Sequence, residues 1–180
     1  MNDPDKQSLL AELAADQRLA PAYDYWLTLA GDDVPAFSQF DPAALPAAVL
    51  GYLTLLDAVD GGSTFRVRLV GAGTTAAVGH NAAGSHVGTI AAGDIQEAAL
   101  ARYRAVIARR RPVADIVEYA IPHGPRFKTR ILTLPFLGRQ SVIDRLLGVY
   151  SPTSAPMAQR ALPNLAVPSN ARVHRTQIIL

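Results

Sequence analysis

Residues 51–71 read GYLTLLDAVDGGSTFRVRLVG, two apolar-rich runs set around Asp60-Gly61-Gly62. Gly51 to Val59 and Thr64 to Val70 have the length and β-branched content of strands, and the Asp-Gly-Gly between them supplies the positive-φ residues that a tight hairpin requires. Phe65, Val67 and Leu69 alternate with Arg66 and Arg68, the period-two pattern of a sheet with two unlike faces. Downstream, Val113 to Ile121, Arg126 to Leu137 and Ser141 to Tyr150 also read as strands, with His123-Gly124-Pro125 and Gly138-Arg139-Gln140 as turns between them. A pair of strands, then loop and helix, then a trio predicts an α+β fold. Its single five-stranded antiparallel sheet has one face crossed by the intervening helices, which is how a small domain encloses a pocket.

The segments around this core fit the same picture. Leu9, Leu10 and Leu13 recur at helical spacing in a first helix ending before Pro21, and Tyr23, Trp26, Leu27 and Ala30 form the stripe of a second, closed by Gly31. Asp41-Pro42 opens a helix that Pro46 limits to about one turn. A short helix runs through Thr74 to Val78 and stops at Gly79, and a loose segment leads to Gly93. Asp94, with Glu97 at capping-box spacing, opens the longest helix, which ends near Arg110 ahead of Pro112. Beyond Ser151 the prolines at 152, 156, 163 and 168 predict an extended tail, although Val173 to Leu180 could add a stray strand or bind a neighbour.

Composition narrows the function classes. The chain has 180 residues, 49% of them hydrophobic, enough for one well-buried core. Net charge is only +2, with just two lysines, Lys6 and Lys128, so the chain lacks the strongly basic character of a nucleic-acid binder. There is no cysteine, which excludes disulfides, thiolate nucleophiles, Cys-ligated metals and cysteinyl-flavin photochemistry. The N-terminus has no signal-peptide pattern and no run is long enough to span a membrane, so a cytoplasmic protein without membrane contact is expected.

Several of these stretches together resemble a known family: Tyr25-Trp26; Asp41-Pro42 with Leu45-Pro46; Phe65-Arg66-Val67-Arg68-Leu69-Val70-Gly71; the Gly79 to Gly84 spacing; Tyr103 with Arg111-Pro112-Val113; Leu134-Pro135; and Asp144-Arg145-Leu146-Leu147-Gly148. In that order they resemble the single-domain PAS proteins found mainly in alphaproteobacteria. The resemblance implies a sheet of order 2-1-5-4-3 with helices over one face, a sensory or scaffolding role, and no catalytic residues. It divides the chain into an N-terminal helical extension (1–21), a PAS-like domain (22–151) and a Pro-containing C-terminal tail (152–180). The chain departs from the family pattern at Gly79-His80-Asn81-Ala82-Ala83-Gly84 and at Arg110, both beside the expected pocket.

Competing motifs are weaker. Gly71-Ala72-Gly73-Thr74-Thr75-Ala76 fits a dinucleotide fingerprint, but no second parallel strand follows it, so it reads as a turn opening a helix. His80, His86, His123 and His174 show no metal-ligand spacing and read as loop histidines; a haem would need His80 or His86 as its axial ligand, and the resemblance requires no cofactor. Asp144-Arg145 reads as an ion pair with a neighbouring strand, and Arg109-Arg110-Arg111 as a helix end. Arg102 falls on the apolar face beside Ile95 and Val106, so its guanidinium either reaches solvent or meets an anionic ligand. Arg66 and Arg68, and likewise Arg126, Lys128 and Arg130, give the sheet a basic face. That face is either its solvated back or a dock for an acidic partner or the N-terminal helix, and the alternation favours the solvated back.

The function expected is non-catalytic: binding of a small molecule or a partner protein, with the signal passed in trans to a signalling partner, in a homodimer built through the N-terminal helices. Tyr103, Arg102, His86 and Tyr119 are the pocket candidates, each a polar tip beside an apolar wall. The alternative is a small enzyme of ketosteroid-isomerase-like fold using a buried carboxylate, Asp57 or Asp115, as its base. A purely structural module with a filled core differs from the sensor only in lacking a cavity.

Overall fold

Asp60, Gly61 and Gly62 all adopt positive φ (48°, 68° and 90°), and the hairpin closes on them. The computed structural model describes residues 3–90, 93–120, 126–152 and 172–180. The hairpin joins β1 (Leu53–Val59) to β2 (Thr64–Val70), and the trio is β3 (Val113–Ala120), β4 (Arg126–Leu137) and β5 (Ile143–Pro152). All these strand pairings are antiparallel, in the order β2-β1-β5-β4-β3 that the family resemblance implies. The turn at 123–125 lies outside the described residues.

A sixth strand extends this order. Residues Arg172–Ile179 form β6, which pairs with β3 along its whole length, from Val113↔Ile179 to Ala120↔Arg172. The tail therefore ends in a sheet strand rather than in extended coil: its last stretch has no proline and alternates Val173, Arg175, Gln177 and Ile179 against His174 and Thr176.

Helices cover both faces. On the inner face, α4 (Ala72–Val78), α5 (Val87–Ile90) and α6 (Gly93–Arg109) follow the hairpin. Val87, Tyr103 and Val106 pack there with Leu56, Phe65, Val67, Val113 and Leu146. On the outer face, α1 (Asp3–Ala14), α2 (Leu19–Ala30) and α3 (Ala47–Leu50) bring Leu13, Leu19, Ala22, Trp26 and Val49 against Leu53, Ala114, Leu132, Leu134, Leu147 and Val149. Fully burying an aliphatic side chain is worth about 1.5–3 kcal/mol, so both covers contribute substantially to holding the sheet.

Local differences from the sequence expectations have physical causes. Pro21 sits in the first turn of α2, where a missing N–H leaves no helical bond unmade. Leu27, expected on the buried stripe, is 48% exposed, because Leu19, Ala22 and Trp26 set the inward face of α2. Asp94 lies inside the first turn of α6, which begins at Gly93, so it does not cap the helix. The segment expected to be loose contains α5. β1 starts at Leu53 because the Gly51 carbonyl accepts the amides of Gly73 (2.7 Å) and Thr74 (3.1 Å) at the start of α4. That close approach explains the Gly71-Ala72-Gly73 motif: a Cβ on Gly71 or Gly73 would collide with the Gly51 backbone.

The basic face is likewise not a plain solvated back. Glu12 of α1 meets Lys128 (3.9 Å) and Arg130 (3.1 Å), and Asp16 meets Arg130 (3.3 Å), so the N-terminal helix lands on β4. Arg66, Arg68 and Arg145 surround Asp57 instead, at 2.9, 3.5 and 3.3 Å. Leu134-Pro135 also has a structural reason. The β3 ladder ends at Thr133, so Pro135 occupies an edge portion of β4, where its carbonyl accepts the Trp26 indole N–H at 2.8 Å.

Candidate functional site

The inner face carries a cluster of buried polar groups beneath α6. Three helical turns into α6, Arg102 turns inward with only 3% of its surface exposed, and its Nη1 donates to Asp115 Oδ2 at 3.0 Å. Asp115 is fully buried on β3, and its Oδ1 accepts Arg175 Nε from β6, also at 3.0 Å. One carboxylate thus bridges two guanidiniums from elements at opposite ends of the trio. Gln177 stands directly across from Asp115 in the β3–β6 register, and Ile131 and Tyr150 continue the same row through β4 and β5.

Tyrosines fill the surroundings. Tyr103 packs its ring against Phe65, with centroids 5.0 Å apart, and lies 5.3 Å from the Arg102 guanidinium. Burial, above all, pushes the phenols of Tyr119 and Tyr150 above their ordinary value, so both stay neutral. Burial works against the charge of Arg102, but Tyr103, Tyr150, Asp115 and Tyr119 outweigh it and raise the guanidinium's pKa further. The cluster thus sets two guanidiniums, Arg102 and Arg175, against one carboxylate, Asp115.

One row along the same face carries only small side chains. Thr54, Gly148 and Thr133 stand opposite one another across β1, β5 and β4. Both threonine hydroxyls are buried without a hydrogen-bond partner, and a Cβ added to Gly148 would meet nothing closer than 3.6 Å. Arg102 Nε, Arg175 Nη2 and Gln177 Nε2 are also buried and unpartnered. Buried polar atoms are ordinarily satisfied, so a group of orphaned donors on one face marks a place built to meet something.

Of the four residues chosen from sequence, Arg102, Tyr103 and Tyr119 converge here. His86 does not: it is exposed beside β2, its ring Nδ1 3.5 Å from Thr64 Oγ1, and β1, β5 and β4 separate it from β3. Its segment serves the β2 edge, where Val67 exchanges backbone hydrogen bonds with Ser85 and Gly84. Among the described residues no group of three histidine or acidic side chains could hold a metal ion. Tyr150, Arg175, Gln177 and the Thr-Gly-Thr row were missed. Alternation within the last eight residues could have placed Arg175 and Gln177 on one face, whereas the row requires the strand register.

Neither carboxylate proposed as an enzymatic base is free. Asp115 has both oxygens engaged by arginine, and Asp57 meets three arginines on the outer face. A hollow of about 380 Å³ lies between α1 and α2 on the outer face, lined by Leu10, Leu13, Tyr23, Asp24 and Leu132 among others. Its polar residues, Tyr23 and Asp24, are neighbours on one helix, whereas the inner cluster gathers polar groups from α6, β3 and β6, which favours the inner cluster as the site.

A family model described as PAS domain matches residues 15–151. No curated protein matches the chain. Among solved structures, the LOV protein of Rhodobacter sphaeroides is 19% identical with a TM-score of 0.44; the match covers 59% of this chain and 61% of that protein. The light-state LOV domain of the photoreceptor Aureochrome1 gives 13% identity and a TM-score of 0.42, covering 61% of this chain and 87% of that one. A fungal LOV domain photoreceptor gives 17% and 0.42, covering 63% and 80%. At this level of similarity, nothing those proteins bind transfers to this chain. No described helix is long and apolar enough to cross a membrane.

Proposed function

Because the chain belongs to the PAS domain family, whose members are generally sensory and signalling domains, we propose that it binds a small molecule on the inner face of its sheet and signals in trans without chemistry of its own. The observation that carries this reading is the set of buried, unpartnered donors around Arg102, Tyr103 and Tyr119, a polar cluster set among apolar side chains. A ligand there can shift a conformational equilibrium only through different affinity for two arrangements. The cluster joins three elements that could rearrange: α6, β3 and β6.

Residues 22–151 form the sensing unit in this reading, with 1–21 and 152–180 as extensions that close its outer face and its β3 edge. The protein works in the cytoplasm as a homodimer. Leu10 and Leu27, 38% and 48% exposed on the outer helices, offer apolar surface to a second copy or a signalling partner; Leu69 and Val142 are also exposed, at 50% and 54%. The engagement of Asp57 and Asp115 by arginines supports a non-catalytic role over the isomerase-like alternative.

Native mass spectrometry of the protein purified from its own host tests both claims in one measurement. A dimer carrying a bound small molecule is expected. A ligand-free protein would reject the sensory reading in favour of partner binding around a filled core, and a monomer would reject the homodimer.

A further inference from the structure

The geometry points to a binding site for a small organic monocarboxylate on the inner face of the sheet, between α6 and strands β1, β5, β4, β3 and β6. The inference rests on the sensory reading above and names the class of molecule that occupies the site.

Charge is the first argument. Arg102 and Arg175 bring two positive charges to a site with one carboxylate, Asp115, and the Arg102, Arg175 and Asp115 side chains are 4%, 17% and 0% exposed, so the excess charge is largely but not wholly shielded from water. A net buried charge is expensive, and it is relieved when a counter-charge enters and is hydrogen-bonded. One negative charge closes the balance; a dianion such as phosphate would overshoot it. Water can satisfy a donor but brings no charge.

The kind of unpaired atom is the second argument. Arg102 Nε, Arg175 Nη2 and Gln177 Nε2 all donate, as do the hydroxyls of Thr54 and Thr133. The two hydroxyls can accept as well as donate, but the three nitrogens can only donate. A carboxylate accepts through two oxygens in one plane, which matches the fixed fork of a guanidinium. Arg102 has its Nη1 committed to Asp115 while its Nε remains free, so it can hold the internal carboxylate and an external one together.

Shape is the third argument. Gly148 carries no side chain between two threonines, so this row presents the least bulk on the face, although a Cβ there would already touch Thr54 and Tyr150. Ile131, Val106 and the rings of Tyr103 and Tyr150 supply apolar surface on that face, which suits a ligand with a short apolar body over a bare inorganic ion. Asp115 keeps the empty site from holding both arginines unopposed.

The test titrates the whole 180-residue chain with sodium butyrate and sodium benzoate, each against butyramide and benzamide, at constant ionic strength in chloride. Calorimetric titration and the melting temperature are the readouts. The carboxylates should bind saturably and raise the melting temperature. The neutral amides should bind at least about tenfold more weakly, the ratio expected when charge-assisted hydrogen bonds are lost. Arg175→Gln, which alters the more exposed of the two guanidiniums, should weaken carboxylate binding about tenfold without changing amide binding.

Amides that bind as tightly as their acids, or an Arg175→Gln chain that binds the acids unchanged, would overturn the inference. If neither acid binds but protein from the host retains a neutral molecule, the carboxylate class is wrong and the sensory reading stands. If neither acid binds and the host protein is empty, both fall.

Discussion

Asp115 shows how much can rest on one side chain. It is fully buried, and removing its charge leaves Arg102 facing Arg175 with nothing between them. Asp115→Asn should therefore cost about 3–5 kcal/mol of stability. Arg175→Gln, at a side chain 17% exposed to solvent, should cost only about 1 kcal/mol because water takes up part of the lost interaction. Urea denaturation midpoints check the contrast, and equal losses would mean that the bridge is not organised around the carboxylate. Part of this was legible in the sequence. A helical wheel places Arg102 among apolar neighbours, where an arginine must find an anion, and strand alternation turns Tyr119 inward. Tyr150 and the Thr54-Gly148-Thr133 row were not legible, because facing positions on three strands depend on a register that no local pattern contains. His86 misled for a related reason: a polar residue after a turn looks the same whether its loop covers a pocket or an edge strand.

Among the elements, α1 and β6 complete the sheet from the two ends of the sequence. The landing of α1 depends on Asp16, whose Oδ1 accepts the amides of Arg18 (2.9 Å) and Leu19 (3.1 Å) and so starts α2, while Oδ2 meets Arg130. Burial pushes this carboxyl up, but hydrogen bonds from Ser151, Arg18 and Leu19 and the Arg130 charge outweigh it, leaving its pKa below the ordinary value. A carboxylate whose folded pKa is depressed contributes stability above its unfolded pKa, and that contribution disappears as pH falls through the folded one. Lowering the pH from about 5 to about 2 should thus destabilise the protein less in Asp16→Asn than in wild type, with Asp16→Asn itself about 1–2 kcal/mol less stable at pH 7. Thermal unfolding across that range reads both, and parallel curves would refute the role of Asp16. Lys128 and Arg130 were visible in the sequence as a basic stripe. The stripe's occupant was harder to assign, since an alternating strand looks alike under solvent and under an acidic helix face. β6 was harder still, because the prolines before it dominate the local composition.

For the molecule as a whole, the antiparallel sheet was the most legible feature: its period-two runs, its hairpin turn and the grouping of two strands then three point to one sheet, and the family resemblance supplied the strand order. Less predictable was that both of its faces are covered, which leaves the β3 edge as a place where the interior can communicate outward. Asp115 ties α6 to β6 through one carboxylate, so an occupant that draws on Arg102 or Arg175 changes how firmly β6 holds that edge. A released β6 would expose a row of backbone donors and acceptors on β3, the kind of surface that pairs with a partner strand. The β1–β2 hairpin touches the cluster through Phe65 against Tyr103 and through Thr54, but no ion pair ties it to Asp115 among the described residues: the outer side of β2 is held by Asp57, and its edge by the 84–86 segment. Hydrogen exchange should accordingly show β6 as the first strand to open, with opening free energies several kcal/mol below those of β4 and β5. Saturating sodium benzoate should slow exchange in β6 and α6 more than in β1 and β2. Uniform slowing across all six strands would mean that a ligand stabilises the fold without addressing the edge, and an unchanged β6 would separate the inner cluster from any signal sent through it.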